Sequence, residues 1–302
     1  MRLGMIGLGR MGSGISARLI EAGHQVVGFD PNESAREDLT AEGGVAVESL
    51  EQLVQRLEPP RAVWVMVPSG NPVKQTLESL SEQLMAGDVV VDGGNSNYEL
   101  TMERGAALES LGLALVDVGT SGGVWGRREG YCLMVGGAAE SVERLRPIFE
   151  ALAAASDRGW AHVGPRGAGH FVKMVHNGIE YALMQAYAEG FAILGRKEAL
   201  GLDLAQVAEV WRHGSVVRSW LLDLVVQALE GNPLLDGIES WVADSGEGRW
   251  AVKEAIDLDV PAPAMSLALI ERLSSRDTDS FAHKMLAAMR QQFGGHAVRR
   301  KT

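Results

Sequence analysis

The chain has 302 residues, and its 28 Lys plus Arg against 39 Asp plus Glu give a formal net charge of −11, which argues against a coat for nucleic acid or an anionic membrane, since both are held by clustered cations. A length of 302 residues is near the limit of one hydrophobic core, so two domains are expected, and 46% hydrophobic with 22% charged residues is ordinary globular composition. The single Cys132 excludes an internal disulfide and any Cys cluster for zinc or an iron–sulfur centre.

At the amino terminus the sequence enters an apolar run at residues 3–6, which leaves no space for a signal or transit peptide. Further strand-length runs follow at 26–29, 62–67, 89–91 and 113–116, and the longest of them is far short of the roughly 20 residues a membrane span needs. A soluble, cytoplasmic protein is the expectation. Unbroken apolar runs are typical of parallel strands covered on both faces. Between them, segments such as 12–21 and 72–84 repeat apolar residues at three and four. This alternation predicts a doubly wound α/β sheet. The texture changes near Gly164. The stretch 164–169 carries Gly and Pro as a hinge and helix entry, and beyond it helical periods run to Gln292 with breaks at 231–233 and 261–263. We therefore expect a dinucleotide-binding domain over 1–164 and an all-helical substrate and dimerisation domain over 165–302.

Gly7-Leu8-Gly9-Arg10-Met11-Gly12 stands between the first apolar run and the first helical segment. Gly7 permits a tight turn, Gly9 lets backbone approach a pyrophosphate, Gly12 lets helix and strand pack closely, and the helix N-terminus faces the phosphates. Asp30 ends the second run, 23 positions after Gly7, where a carboxylate can accept hydrogen bonds from a ribose diol. The pattern predicts a Rossmann-type NAD site. The carboxylate would repel a 2′-phosphate, which disfavours NADP, although Arg36 downstream could swing toward that position. S-adenosylmethionine uses a similar turn, and the motif alone leaves that ligand open. Val67, Pro68 and Asn95 are assigned to the cofactor site as well.

The segment 167–181 holds the most chemistry. As a helix it places Lys173, His176, Asn177, Glu180 and Tyr181 at i, i+3, i+4, i+7 and i+8, one polar stripe among Val, Phe, Met and Ile. A solvated helix face is the plainer explanation, and a cleft-facing helix the functional one. A Lys deprotonated by burial can act as a base toward a hydroxyl, a Glu two turns away as a separate acid, and His176 and Asn177 as orienting groups. The His residues form no HxxxH or HxH pair, so no metal is expected.

The run 169–181 resembles the signature of decarboxylating 6-phosphogluconate dehydrogenases, in the β-hydroxyacid dehydrogenase superfamily. Gly7-Leu8-Gly9-Arg10-Met11-Gly12, Asp92-Gly93-Gly94-Asn95-Ser96 and Gly119-Thr120-Ser121-Gly122-Gly123 agree in the same order. The resemblance implies that Lys173 is the base and Glu180 the acid. It implies that Asn95, Ser121, Gly122, Gly123, His176 and Asn177 line the substrate and nicotinamide site. Tyr181 would then meet the substrate phosphate, with Arg272 or a neighbour such as Arg276 and with Arg290 and His296 from the tail of a neighbouring subunit, so a homodimer or larger homo-oligomer is implied.

Two departures from the family pattern stand out. Ser245 and Glu247 occupy places where longer members carry Lys and Thr for phosphate, which weakens the case for a phosphorylated substrate unless Arg249 compensates. The Asn-Arg-Thr pattern for an NADP phosphate is missing, and Asp30 fits a short, NAD-preferring branch. The nearest alternative is a β-hydroxyacid dehydrogenase that does not decarboxylate, which needs the Lys without the later acid. A more distant one is a non-catalytic NAD-binding protein, which would have lost part of the polar stripe.

Overall fold

The computed structural model describes residues 1–294 and 297–299. The chain divides into two compact units, Met1–Asn177 and Gly178–Thr302. No helix among the described residues is long and apolar enough to cross a membrane.

The first unit is built on alternating strands and helices. They are β1 (Arg2–Ile6), α1 (Arg10–Glu21), β2 (Gln25–Phe29), α2 (Glu33–Ala41), β3 (Val45–Val47), α3 (Leu50–Gln55), β4 (Ala62–Val65), α4 (Asn71–Ser81), β5 (Val89–Asp92) and α5 (Tyr98–Glu109). The chain continues through β6 (Ala114–Ser121), the short α6 (Gly126–Glu129), β7 (Cys132–Gly136), α7 (Ala139–Leu152) and β8 (Trp160–Gly164). The eight strands form one sheet in the order β3-β2-β1-β4-β5-β6-β7-β8. Every pairing is parallel except β6 with β7, where Ser121 stands opposite Cys132.

The period of two along each strand sorts its side chains onto two faces. Trp64, Val89 and Val91 go to one core with Ile15 and Leu19 of α1 and Leu145, Ile148 and Phe149 of α7. Val63, Val65 and Val90 go to the other, with Leu53 of α3, Leu77 and Leu80 of α4 and Leu108 of α5. Covering on both faces is why these strands read as unbroken apolar runs. The observed architecture is the doubly wound α/β sheet expected from the sequence. The run 62–67 is the one that shortens, since β4 stops at Val65 and Val67 and Pro68 lie in the loop beyond it.

The helix α8 (Ala168–Arg196) crosses from the first unit into the second. The second unit continues with α9 (Leu204–Arg212), α10 (Trp220–Gly231), α11 (Glu247–Asp257), α12 (Pro263–Ser274) and α13 (Phe281–Gly294). Its breaks fall where Gly and Pro predict them: α10 ends at Gly231 and α12 begins at Pro263, whose ring suits a first helical position. Ala208, Leu222, Val226 and Leu229 form its buried cluster, flanked by Tyr187, Phe191 and Trp211.

Candidate active site

The glycine turn has the shape its spacing predicts. Gly7 has φ of 91°, and a Cβ there would lie 2.4 Å from the Met66 carbonyl oxygen, so both conformation and space require glycine. A Cβ at Gly12 would fall 1.9 Å from the Gly7 carbonyl oxygen, which shows how tightly α1 sits on the turn. Gly9 differs, because a Cβ there would meet nothing within 4 Å. Its open side lies at the N-terminus of α1, where Leu8, Arg10 and Met11 also belong and where backbone N–H groups can receive a pyrophosphate.

Asp30 is already oriented by backbone. One oxygen accepts the Leu8 N–H at 2.8 Å and the other accepts the Asn32 N–H at 2.8 Å. Each oxygen keeps lone-pair capacity for a ribose hydroxyl. Arg36 donates to the Asp30 carbonyl at 2.7 Å and the Pro31 carbonyl at 3.2 Å, so its guanidinium is engaged by backbone beside this carboxylate. The open flank of Gly9, the tight turn and the fixed carboxylate fit a dinucleotide.

Asn95 has φ of 51°, in the left-handed region, and its amide closes a pair of bonds with β6. Its Oδ1 accepts the Thr120 N–H at 2.9 Å and its Nδ2 donates to the Thr120 carbonyl at 3.2 Å. Asn95 therefore ties the loop after β5 to the strand that carries Ser121. Buried Asp92 stiffens the same loop by accepting from Ser96 Oγ at 2.8 Å and Gly94 N–H at 3.0 Å. Gly122 and Gly123, both with positive φ, turn the chain out of β6.

The first turns of α8 bring a second group together beside Ser121. Lys173 is only 6% exposed, and its Nζ donates to Asn177 Oδ1 at 2.8 Å. The same oxygen lies 3.0 Å from His176 Nδ1, and His176 Nε2 lies 3.4 Å from Ser121 Oγ. With Asn177 Oδ1 as the acceptor of both, His176 carries its proton on Nδ1 and presents Nε2 toward the Ser121 hydroxyl. Lys173, His176, Asn177 and Ser121 thus form one connected polar cluster. The stripe read from the sequence continues along α8 through half-buried Glu180 and buried Tyr181.

In the second unit, the Tyr181 hydroxyl is 3.2 Å from Ser245 Oγ, and the Arg272 guanidinium lies 3.6 Å from the centre of the Tyr181 ring. Ser245 in turn donates to Glu247. Arg249 pairs with Asp244, whose side chain is nearly buried, and Arg276 approaches the same carboxylate at 3.7 Å. Ser245 thus links Tyr181 to Glu247, and Arg249 is engaged by Asp244. Arg290 is exposed on α13, and His296 lies outside the described residues. Sequence reasoning quoted Asp92 and Thr120 within motifs without giving either a role, and it passed over Asp117, whose signal was a carboxylate inside an apolar strand run. Among the described residues no group of His, Cys, Asp or Glu is placed to hold a metal ion.

A glycine turn on a parallel sheet, a fixed carboxylate after the second strand and a buried Lys on a following helix define the class of Rossmann-type dinucleotide-dependent dehydrogenases. Residues 2–164 match the NAD binding domain of 6-phosphogluconate dehydrogenase, and residues 169–283 match the 6-phosphogluconate dehydrogenase C-terminal domain. The chain belongs to the 6-phosphogluconate dehydrogenase family. It is 45% identical over 305 residues, covering 100% of this chain and 99% of the relative, to the NAD(+)-dependent, decarboxylating 6-phosphogluconate dehydrogenase of Haloferax volcanii. Among solved structures, the Plasmodium falciparum 6-phosphogluconate dehydrogenase superposes with a TM-score of 0.84 at 26% identity, and this chain covers 66% of that longer one. The Mycobacterium tuberculosis 3-hydroxyisobutyrate dehydrogenase superposes with a TM-score of 0.73 at 26% identity, with 91% of this chain and 94% of that one covered.

Proposed function

We propose that this protein oxidises and decarboxylates 6-phosphogluconate to ribulose 5-phosphate and CO2 with NAD as the oxidant. The observation that carries this reading is the buried Lys173, held by Asn177 in the cluster with His176 and Ser121, on a helix that continues to Glu180. The fold is shared with a 3-hydroxyisobutyrate dehydrogenase, and Glu180 is the residue we use to separate a decarboxylating reaction from a hydroxyacid oxidation that keeps the carboxylate.

NAD, when bound along Gly7 to Gly12 with its ribose on Asp30, supplies a hydride acceptor; Val67, Pro68 and Asn95 flank the site. Neutral Lys173 accepts the proton of the C3 hydroxyl as the C3 hydride leaves. His176 and Asn177 fix the hydroxyl and the Lys amine relative to one another, which removes the orientational cost of the step. In the 3-keto acid the C1 carboxylate is β to a carbonyl. When the C1–C2 bond breaks, its electron pair moves toward the C3 oxygen, and protonated Lys173 donates to that oxygen as CO2 departs. Glu180 then delivers a proton to the former C2, which becomes C1 of the ketose. Tyr181 and Arg272 are the groups we assign to the far, phosphorylated end of the substrate, with Arg290 and His296 contributed by a neighbouring subunit.

The test is initial rates with 6-phosphogluconate and with gluconate, each with NAD and with NADP, on the parent and on Glu180→Gln. We expect 6-phosphogluconate with NAD to be the best combination and the variant to release CO2 about 10²-fold more slowly. Equal rates for gluconate would remove the phosphate assignments, undiminished CO2 release by Glu180→Gln would take the acid role from Glu180, and NADH formation by the parent without CO2 release would leave a simple hydroxyacid dehydrogenase.

A further inference from the structure

Asp117 lies in the middle of β6 between buried Val116 and Val118 and is itself 0% exposed. A carboxylate taken out of water at such a place is tolerated only when its oxygens are hydrogen-bonded. Both are: Oδ1 accepts the Gly167 N–H at 2.7 Å and Oδ2 accepts the His170 N–H at 2.8 Å. These two amides bracket the start of α8. Gly167, immediately before the helix, has φ of 89° and no side chain to cap the first turn. A strand residue 50 positions earlier supplies the cap instead, and its negative charge sits at the positive end of the helix dipole.

The same turn is gripped from two further directions. The His170 ring Nδ1 is 2.7 Å from Thr101 Oγ1, and that hydroxyl donates to the Asn97 carbonyl at 3.1 Å, so the ring nitrogen is the donor of the pair. On the sheet side, a Cβ at Gly119 would lie 2.4 Å from Lys173 Cβ, and a Cβ at Gly169 would lie 2.4 Å from the Met134 carbonyl oxygen. The glycines let α8 press directly onto β6 and β7, but close contact alone allows a helix to slide or rotate. Asp117 removes that freedom, because its two bonds are satisfied together only at one axial position and one rotation of α8.

We propose that Asp117 is a positioning residue for Lys173. By holding Gly167 and His170, one turn before Lys173, it sets where Nζ meets Asn177 and where His176 meets Ser121. The proposal rests on the reading of Lys173 as the base, and it touches neither substrate nor cofactor directly.

The test compares the parent, Asp117→Asn and Asp117→Ala. Asn keeps the volume but offers one oxygen, so its amide group faces one of the two N–H donors; Ala offers no acceptor. We expect kcat per folded site to fall about tenfold for Asn and further for Ala, with KM for NAD within twofold of the parent. Amide hydrogen exchange across 167–174 should quicken in the same order, while NADH still quenches protein fluorescence with parental affinity. A kcat within twofold of the parent in the folded Asn variant, whatever the change in Tm, would leave Asp117 with a structural role alone and overturn the proposal. So would exchange at 167–174 as slow as in the parent. If the parent itself does not turn over 6-phosphogluconate, it is the proposed function that fails, and the exchange comparison still decides whether Asp117 fixes the helix.

Discussion

In the first unit Phe149 is fully buried, its ring 6.3 Å from that of Trp64 and 5.3 Å from that of Trp160. In the second, Ile193 on α8 is 72% exposed, and Ile179, Leu183, Leu200 and Val210 are also open. One unit closes two cores around its sheet. The other has a smaller buried cluster and carries apolar side chains outward along its longest helix. Scattered exposed apolar residues need no explanation, but several on one helix and its neighbour mark a surface built to be covered. The difference teaches that the first unit closes its apolar surface mostly within itself, while the second leaves a stretch of apolar helix face exposed.

The largest effect should come from breaking the closed side. Phe149→Ala removes a ring held between two others and leaves a cavity, and we expect it to cost about 3–5 kcal/mol. Urea unfolding of the parent and the variant at two protein concentrations checks this. The loss should be the same at both, because the contacts belong to one chain. A loss below about 1 kcal/mol would show that α7 adds little to that core.

The two regions were not equally legible in the sequence. The first unit could be read almost strand by strand, because burial on both faces makes each parallel strand an apolar run. β3 and β8 escaped, the first being three residues with only Val47 well buried and the second having no buried residue, and so did the full length of β6, where Asp117 and Thr120 interrupt the run. Gly7, Asp30 and the α8 stripe were legible since spacing alone fixes which residues share a turn or a helix face. What spacing could not give was partnership across the fold. That Asn95 spends its amide on Thr120, or that Arg249 is held by Asp244, depends on contacts between segments far apart in sequence. The same limit applies to Arg272, whose place over Tyr181 comes from α12 folding back within the second unit.

Breaking the open side should give a smaller effect of a different kind. We take the second unit to be covered by another copy of this chain, as the tail assignments of Arg290 and His296 also require. Ile193→Asp places a charge on the exposed face. It should change single-chain unfolding by less than about 0.5 kcal/mol, yet weaken self-association at least roughly tenfold. Sedimentation of parent and variant over a range of concentrations reads the association, and urea unfolding at low protein concentration reads the single-chain stability. A parent that is monomeric throughout would remove the subunit interpretation, and the exposed face would then need a different partner.

The smallest effect sharpens the comparison inside the second unit, where polar contacts carry part of what apolar burial carries in the first. Burial by itself would raise the Asp244 carboxyl, but hydrogen bonds from Arg249 and the Gly246 N–H, with the charges of Arg249 and Arg276, outweigh it and hold the group below its ordinary value of 3.8. A carboxyl whose folded value is depressed adds stability above its unfolded value, and that stability is lost as pH falls through the folded one. Asp244→Asn should therefore be less stable than the parent by about 1 kcal/mol at pH 7, the modest figure reflecting a half-exposed Arg249 partner. Below about pH 4 the gap should narrow as the parent takes up its proton. Urea unfolding of both proteins at pH 7 and pH 3 decides the matter. A gap of the same size at both values would mean that Asp244 stabilises the turn before α11 through its shape and its bond to Gly246 rather than through its charge.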